Sequence, residues 1–224
     1  MRKYFLLTFI LAYLSCINAS EDTADTTGFT FLKMQQSARA AALGRAYLAV
    51  SDDGGAVFYN PAGLVQLNYR EVSASYLNYI DGVNCGSVIY GHPLSLKTAL
   101  GISFQFLTAR EDRTLADPAG NYLGTEGTFG ISNLLAAISF SRYLNEMLNV
   151  GFNLKYIRES LDTNSASALA FDFAILHQTT NDKLKVGLAI KNIGKQISYH
   201  SDRKFEERLP ATAALGFKYQ LSEK

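Results

Sequence analysis

Leu148-Asn149-Val150-Gly151-Phe152-Asn153-Leu154-Lys155-Tyr156 alternates a large apolar residue with a small or polar one at every step. A period of two is the side-chain repeat of an extended strand. One face therefore carries Leu148, Val150, Phe152, Leu154 and Tyr156, and the other carries Asn149, Gly151, Asn153 and Lys155. The contrast recurs upstream, where Leu100, Ile102, Phe104 and Phe106 oppose Gly101, Ser103 and Gln105, and downstream, where Leu184, Val186, Leu188 and Ile190 oppose Lys185, Gly187, Ala189 and Lys191. A soluble sandwich would bury the apolar face and set dense charge on the other. Here the second face is Gly, Ala, Ser and Asn with few charges, which fits a lumen packed by small polar groups and a large apolar face turned to lipid.

Working outward, about eight such segments follow one another, near residues 70–79, 83–91, 97–108, 128–142, 147–160, 166–178, 183–193 and 211–221. Each is close to the length a tilted strand needs to cross a bilayer, about 9–11 residues. The connections alternate in length. Pro93-Leu94-Ser95, Tyr143-Leu144-Asn145-Glu146 and residues 179–182 are short, whereas residues 109–127 and 194–210 are the longest. Short periplasmic turns and longer extracellular loops are the pattern of an outer-membrane barrel, and Tyr79, Tyr90, Phe129, Tyr156 and Tyr219 stand near strand ends, where aromatic girdles form. The expected fold is all-β: an antiparallel up-and-down transmembrane β-barrel over residues 69–224, with a soluble secreted β-protein as the alternative.

Composition narrows the function. The 224 residues are 48% hydrophobic and 18% charged, with 21 basic and 20 acidic residues and a net charge of +1. Without long basic runs there is no electrostatic footprint for a nucleic acid. Two cysteines and three scattered histidines offer neither a disulfide scaffold nor metal-ligand spacing, so no metal or cofactor is expected. No nucleophile elbow, phosphate loop or His-Glu-x-x-His motif is present, and His92, His177 and His200 read as structural or solvated, so the chain does not read as an enzyme. The mean hydropathy of +0.01 is the average of two opposed faces.

Residues 1–19 read as a secretory signal: Arg2 and Lys3 precede an apolar run from Tyr4 to Leu14, and Ile17-Asn18-Ala19 is a cleavage site. Tyr13-Leu14-Ser15-Cys16 leaves acylation at Cys16 as an alternative, and ordinary cleavage leaves Cys85 as the sole thiol. Residues 20–68 differ from the barrel segments. Met34 to Ala46 favours helix until Gly44 interrupts it, and Asp52-Asp53-Gly54-Gly55 and Asn60-Pro61-Ala62-Gly63 read as turns, with Pro61 suited to open a short helix.

The block from Ser37 to Tyr47 (SARAAALGRAY), with Ala49-Val50-Ser51-Asp52-Asp53 and Phe58-Tyr59-Asn60-Pro61-Ala62-Gly63-Leu64, resembles the N-terminal hatch of FadL-like outer-membrane proteins, and above all their PorV/PorQ-like branch, which includes a spirochaete family. Weaker likenesses lie in Pro118-Ala119-Gly120-Asn121 with Gly124, in Asn192-Ile193-Gly194 and in Leu209-Pro210. The resemblance implies localisation to the outer membrane, among its lipids, with residues 20–68 as a small helical hatch folded inside a barrel. It places the hatch motif on Leu43, Gly44, Arg45, Asp52, Asp53, Asn60, Pro61, Ala62 and Gly63, and on physical grounds Arg45 with Asp52 or Asp53 is expected to lock that plug by a charge-assisted hydrogen bond. It also implies passage of hydrophobic small molecules such as long-chain fatty acids. The alternative is a PorV-type structural or interaction protein that docks secreted proteins through the long loops, or a non-functional shortened member. An eight-stranded barrel has room for side chains only, whereas one helix is about 10–12 Å across. The strands are therefore expected to be part of a larger barrel, in a chain shortened relative to the family.

One inward-facing constellation is ionic. A turn centred near Thr163 sets Lys155 opposite Asp172, Phe152 opposite Ile175 and Leu154 opposite Phe173, with Lys191 diagonal to Asp172 on the next strand. A Lys155, Asp172, Lys191 network in the lumen is expected, either to stabilise the wall or to meet a substrate carboxylate.

Overall fold

The computed structural model describes residues 28–34, 36–79, 82–180, 183–200 and 208–221; the expected signal segment lies outside them. Among the described residues are eight strands: β1 (Glu71–Asn78), β2 (Asn84–Ser95), β3 (Thr98–Ala116), β4 (Tyr122–Asn145), β5 (Leu148–Leu161), β6 (Asn164–Gln178), β7 (Leu184–His200) and β8 (Thr212–Tyr219). They form one antiparallel sheet in chain order, each paired only with its sequence neighbours, and β1 and β8 are its two edges. This is the up-and-down connectivity expected from the alternation, realised as an open part of a barrel wall.

The two faces have inverted burial relative to a soluble sheet. Asn153, Ser139 and Ser141 are fully buried, while Phe104 is 51% exposed and Phe173 46%. Register aligns the exposed side chains across the wall: Leu100 pairs with Phe140, Phe140 with Phe152, Phe152 with Phe173, and Phe173 with Ile190. A contiguous apolar surface over five strands is far beyond what a soluble monomer leaves open to water, and it is the outer band of a membrane barrel. No helix among the described residues is long and apolar enough to cross a membrane.

What buries the polar face is the N-terminal segment. It runs through a 3-10 turn (Thr30–Lys33), α1 (Ala38–Ala42), α2 (Ala56–Tyr59) and a 3-10 helix (Pro61–Gln66). Phe29 and Phe31 pack on Leu135, Ile157 and Ala168; Val57, Leu64 and Leu67 pack on Ile89 and Ala99; Ala49 and Ala62 pack on Ala174, Leu176 and Ala189. The small residues of the sheet make room for it. A Cβ built on Gly151 would overlap the backbone at Pro61 and Ala62, and one on Gly187 would lie 2.5 Å from the carbonyl of Leu48. The helix-favouring run from Met34 to Ala46 yields only α1. Ser37 caps it by accepting from the amide of Ala40 at 3.3 Å, and positive φ angles at Gly44 (59°) and Arg45 (70°) then reverse the chain.

Three sequence expectations are corrected. Residues 109–127 are no long loop: β3 and β4 continue as a two-stranded ribbon that leaves only residues 117–121 as its turn. Likewise β7 runs on to His200, so residues 194–200 of the expected second loop are strand. Outside lipid and lumen neither face of a strand needs to be apolar, so the period-two signal fades while the backbone ladder persists. Third, the β5–β6 turn is centred one residue earlier than expected. Asn153 pairs with Asp172, Lys155 with Ala170, Phe152 with Phe173, and Leu154 with Phe171. Both registers keep the same faces inward, so alternation alone does not choose between them.

Candidate functional site

The inner face and the N-terminal segment together make the candidate site. Asp52 and Asp53 are brought together by Arg39, whose Nη1 lies 2.6 Å from Asp52 Oδ1 and 2.7 Å from Asp53 Oδ2; Arg45, the expected partner, is exposed. Arg39 sits in α1, so its side chain reaches across the reversal that Gly44 and Arg45 create, whereas Arg45 lies on the reversal itself. The Tyr47 hydroxyl donates to Asp53 Oδ1 at 2.5 Å, and the Gly55 amide donates to the same oxygen at 2.8 Å. The hydrogen bonds to Asp52 and Asp53 hold the Arg39 guanidinium charged, above its ordinary value. Burial, followed by the bond to Asp53, pushes the Tyr47 phenol well above the usual tyrosine range. Lys218 of β8 stands 3.9 Å from Asp52 and ties this clamp to the sheet edge.

The turn at residues 60–63 is the second anchor. Asn60 is fully buried; its Nδ2 donates to the carbonyls of Leu48 (2.8 Å) and Ile175 (3.2 Å), and its Oδ1 accepts from the amide of Ala62 (3.1 Å). Pro61 opens the 3-10 helix, where its missing N–H costs nothing, and Ala62 presents its carbonyl to the hydroxyl of Ser141 at 3.1 Å. Gly63 lies against Ser51 so closely that any Cβ would overlap the Ser51 carbonyl. Leu43 ends α1 and is 45% exposed. Of the motif positions, Asn60, Pro61, Ala62 and Gly63 thus meet at the sheet, Asp52 and Asp53 meet at Arg39, and Leu43, Gly44 and Arg45 form the exposed reversal.

The ionic trio lies deeper. Lys155 Nζ is 2.5 Å from Asp172 Oδ2 although the two are diagonal rather than opposite in register. Asp172, fully buried, also accepts from Asn153 Nδ2 (2.8 Å) and from the backbone N–H of Asn192 (2.8 Å). The ladder between β6 and β7 slips between Phe171 and Phe173, and Asn192 takes a φ of 58°, which turns its amide toward the carboxylate. Lys155 spends a further donor on Asn192 Oδ1 at 2.9 Å. Lys191 does not join the pair: its Nζ lies 3.4 Å from the Phe58 carbonyl and 5.9 Å from the centre of the Tyr59 ring.

Sequence reasoning missed Arg39, Tyr47, Asn153 and Asn192. Arg39 and Tyr47 stand inside the quoted motif block and were legible as its other polar members; Asn192 stands in the quoted Asn192-Ile193-Gly194 stretch, whose Asn tolerates the positive φ of the bulge. Beyond the wall, the β3–β4 ribbon carries Leu115, Tyr122 and Leu123, exposed by 44%, 67% and 66%. Arg113 of the ribbon pairs with Asp162 in the β5–β6 turn.

No curated protein matches the chain. A family model described as type IX secretion system protein PorV matches residues 17–223, a span that takes in the N-terminal segment, the inner-face ionic pair and all eight strands. On that match the chain belongs to the PorV family of type IX secretion system proteins.

Proposed function

We propose that this protein is exported by its signal segment to the outer membrane, spans it as part of a β-barrel wall, and docks exported proteins through the β3–β4 ribbon. The observation that carries this reading is the ribbon itself. It extends the ladder past Thr108, which faces the first residue of β2, and past Ile131, which faces the last residue of β5, and it presents exposed Leu115, Tyr122 and Leu123. Tyr, here Tyr122, is among the side chains on which protein interfaces concentrate their energy, and the exposed leucines beside it supply apolar surface around such an anchor. Membership of a secretion-system family supports the same role.

Passage of hydrophobic small molecules such as long-chain fatty acids has weaker support. The N-terminal segment is pinned to the wall at Ser141 of β4, at the Ile175 carbonyl of β6 and at Lys185 of β7, whose Nζ is 2.8 Å from Gln66 Oε1. Opening a path would require breaking these bonds together. To test docking, a photo-crosslinking residue is placed at Leu123 and, as the control, at lipid-facing Phe104 in cells with an active secretion system. Adducts with exported proteins are expected from position 123 and not from 104; a Leu123 probe that yields no such adduct removes the docking reading.

A further inference from the structure

Among the described residues the sheet ends in two unpaired edges, β1 and β8. A backbone facing lipid must have its polar groups paired, so both edges call for a further strand. The number of strands restricts what that strand can be. Eight is even, so in this up-and-down sheet β1 and β8 run in opposite directions. A second copy in the same membrane orientation therefore presents its β1 antiparallel to β8. A half turn about an axis along the membrane normal makes both seams at once and leaves no edge. The two edge strands also match in length, at eight residues each.

Their side chains are complementary as well. On β1 the inward residues meet the N-terminal segment of their own chain: Glu71 Oε1 accepts from the amide of Gly54 at 3.0 Å, and the Ser75 hydroxyl donates to the carbonyl of Gln36 at 2.6 Å. On β8 Lys218 points inward, 3.9 Å from Asp52, and Gly216 faces Leu48. Inward residues must meet inward ones, so alternation admits two registers of seven pairs, Glu71–Leu77 against Thr212–Lys218 or Val72–Asn78 against Ala213–Tyr219. Glu71 is directly opposite Lys218 in the first and diagonal to it in the second. Long side chains span either separation, as Lys155 and Asp172 do diagonally in this wall. Within its own sheet Lys218 pairs with Lys185, so the β8 edge carries two neighbouring positive charges and the β1 edge brings a carboxylate to them. On the outer face Val72 and Tyr76 of one copy join Leu215 and Phe217 of the other, all four exposed, and the apolar band continues across each seam.

We infer that a second copy of this chain completes the barrel, with β1 of each copy paired to β8 of the other and Glu71 beside Lys218 at both seams. A wall of sixteen strands encloses a wide interior, so each N-terminal segment keeps its place on its own half. The inference rests on the sheet being a membrane wall and not on docking by the ribbon; a chain that folds in vesicles as a single copy loses only this inference.

Two differently tagged full chains, with both native cysteines replaced, are refolded together into phosphatidylcholine vesicles and oxidised with copper phenanthroline. One carries Ala74→Cys, the other Leu215→Cys or Phe217→Cys, the outward partners of Ala74 in the two registers. A disulfide joining the two tags is expected for one of these combinations. Val88→Cys, on β2 inside the sheet, is expected to link to neither. In a second arm, Glu71→Lys and Lys218→Glu chains are mixed and captured through one tag. A mixed pair sets opposite charges at both seams and a like pair sets like charges at both, so mixed pairs are expected to exceed their statistical share by a few-fold. Heat-modifiable migration shows which variants have folded. The inference is overturned if folded chains form no link from position 74 to 215 or 217, if a chain carrying both cysteines links only to itself, or if folded charge variants pair in statistical proportion.

Discussion

Three donors from two other strands converge on Asp172, which ties the inner face across β5, β6 and β7. Lys155 and Asn153 approach from β5, and the backbone of Asn192 approaches from β7. Removing one member of a buried ion pair leaves the other charge uncompensated, which costs about 3–5 kcal/mol. Asp172→Asn is therefore expected to lower the urea-unfolding free energy of the detergent-folded chain by about that amount. In the Lys155→Met/Asp172→Asn double variant much of the loss is expected to return, because no charge remains stranded; a double-mutant cycle in which the two losses simply add would show that the pair is not coupled. The acidic and basic members of this pair were legible in the sequence as charges on a face otherwise small and neutral. Their diagonal placement was not, since it depends on a register that alternation leaves two residues free to slide.

Each strand of the wall has two duties, toward lipid on one side and toward the N-terminal segment on the other, and the second explains why the inner residues are so small. Gly151 faces the backbone at Pro61 and Ala62, where even a methyl group would overlap. Overpacking of this kind costs about 1–3 kcal/mol, relieved only by moving the segment off the wall. Gly151→Val is expected to speed tryptic cleavage after Arg39 and Arg45, which needs the segment's backbone to come free of the wall, while Gly130→Ala, whose new Cβ would meet only the Ala109 carbonyl at 3.7 Å, leaves the digestion pattern unchanged. Equal protection in both variants would mean that the segment is not held by this contact. The ribbon shows the opposite limit of sequence reading. Residues 109–116 and 122–127 continue the β3–β4 ladder through two register shifts, yet their charged and polar composition reads as loop, because no buried face selects for alternation there.

As a whole the molecule is a curved wall with a lined interior and two open edges. In hydrocarbon an unpaired backbone N–H or C=O costs several kcal/mol, so the edges at β1 and β8 require strand partners beyond this sheet wherever they face lipid. The apolar band makes its own prediction. Phe104, 51% exposed near the middle of that band, replaced by Arg is expected to cost about 2–4 kcal/mol in folding into lipid vesicles, falling toward nothing for the same change at ribbon residue Leu123. Equal effects at both positions would contradict the placement of the bilayer on the Phe104 side of the ribbon.

Alternation along the chain determined the facing of the strands, because a period of two assigns each residue a side before any partner is known, and the short connections between the alternating segments determined their number and up-and-down order. The glycine and proline spacing of the N-terminal block likewise marked its turns. The tertiary structure alone decided which residues meet: Arg39 rather than Arg45 on the two aspartates, Asn153 rather than Lys155 across from Asp172, and a ribbon in place of a loop. Those choices depend on contacts between segments far apart in the chain, where a reversal of two residues or a single bulge redirects a side chain, and no local pattern encodes them.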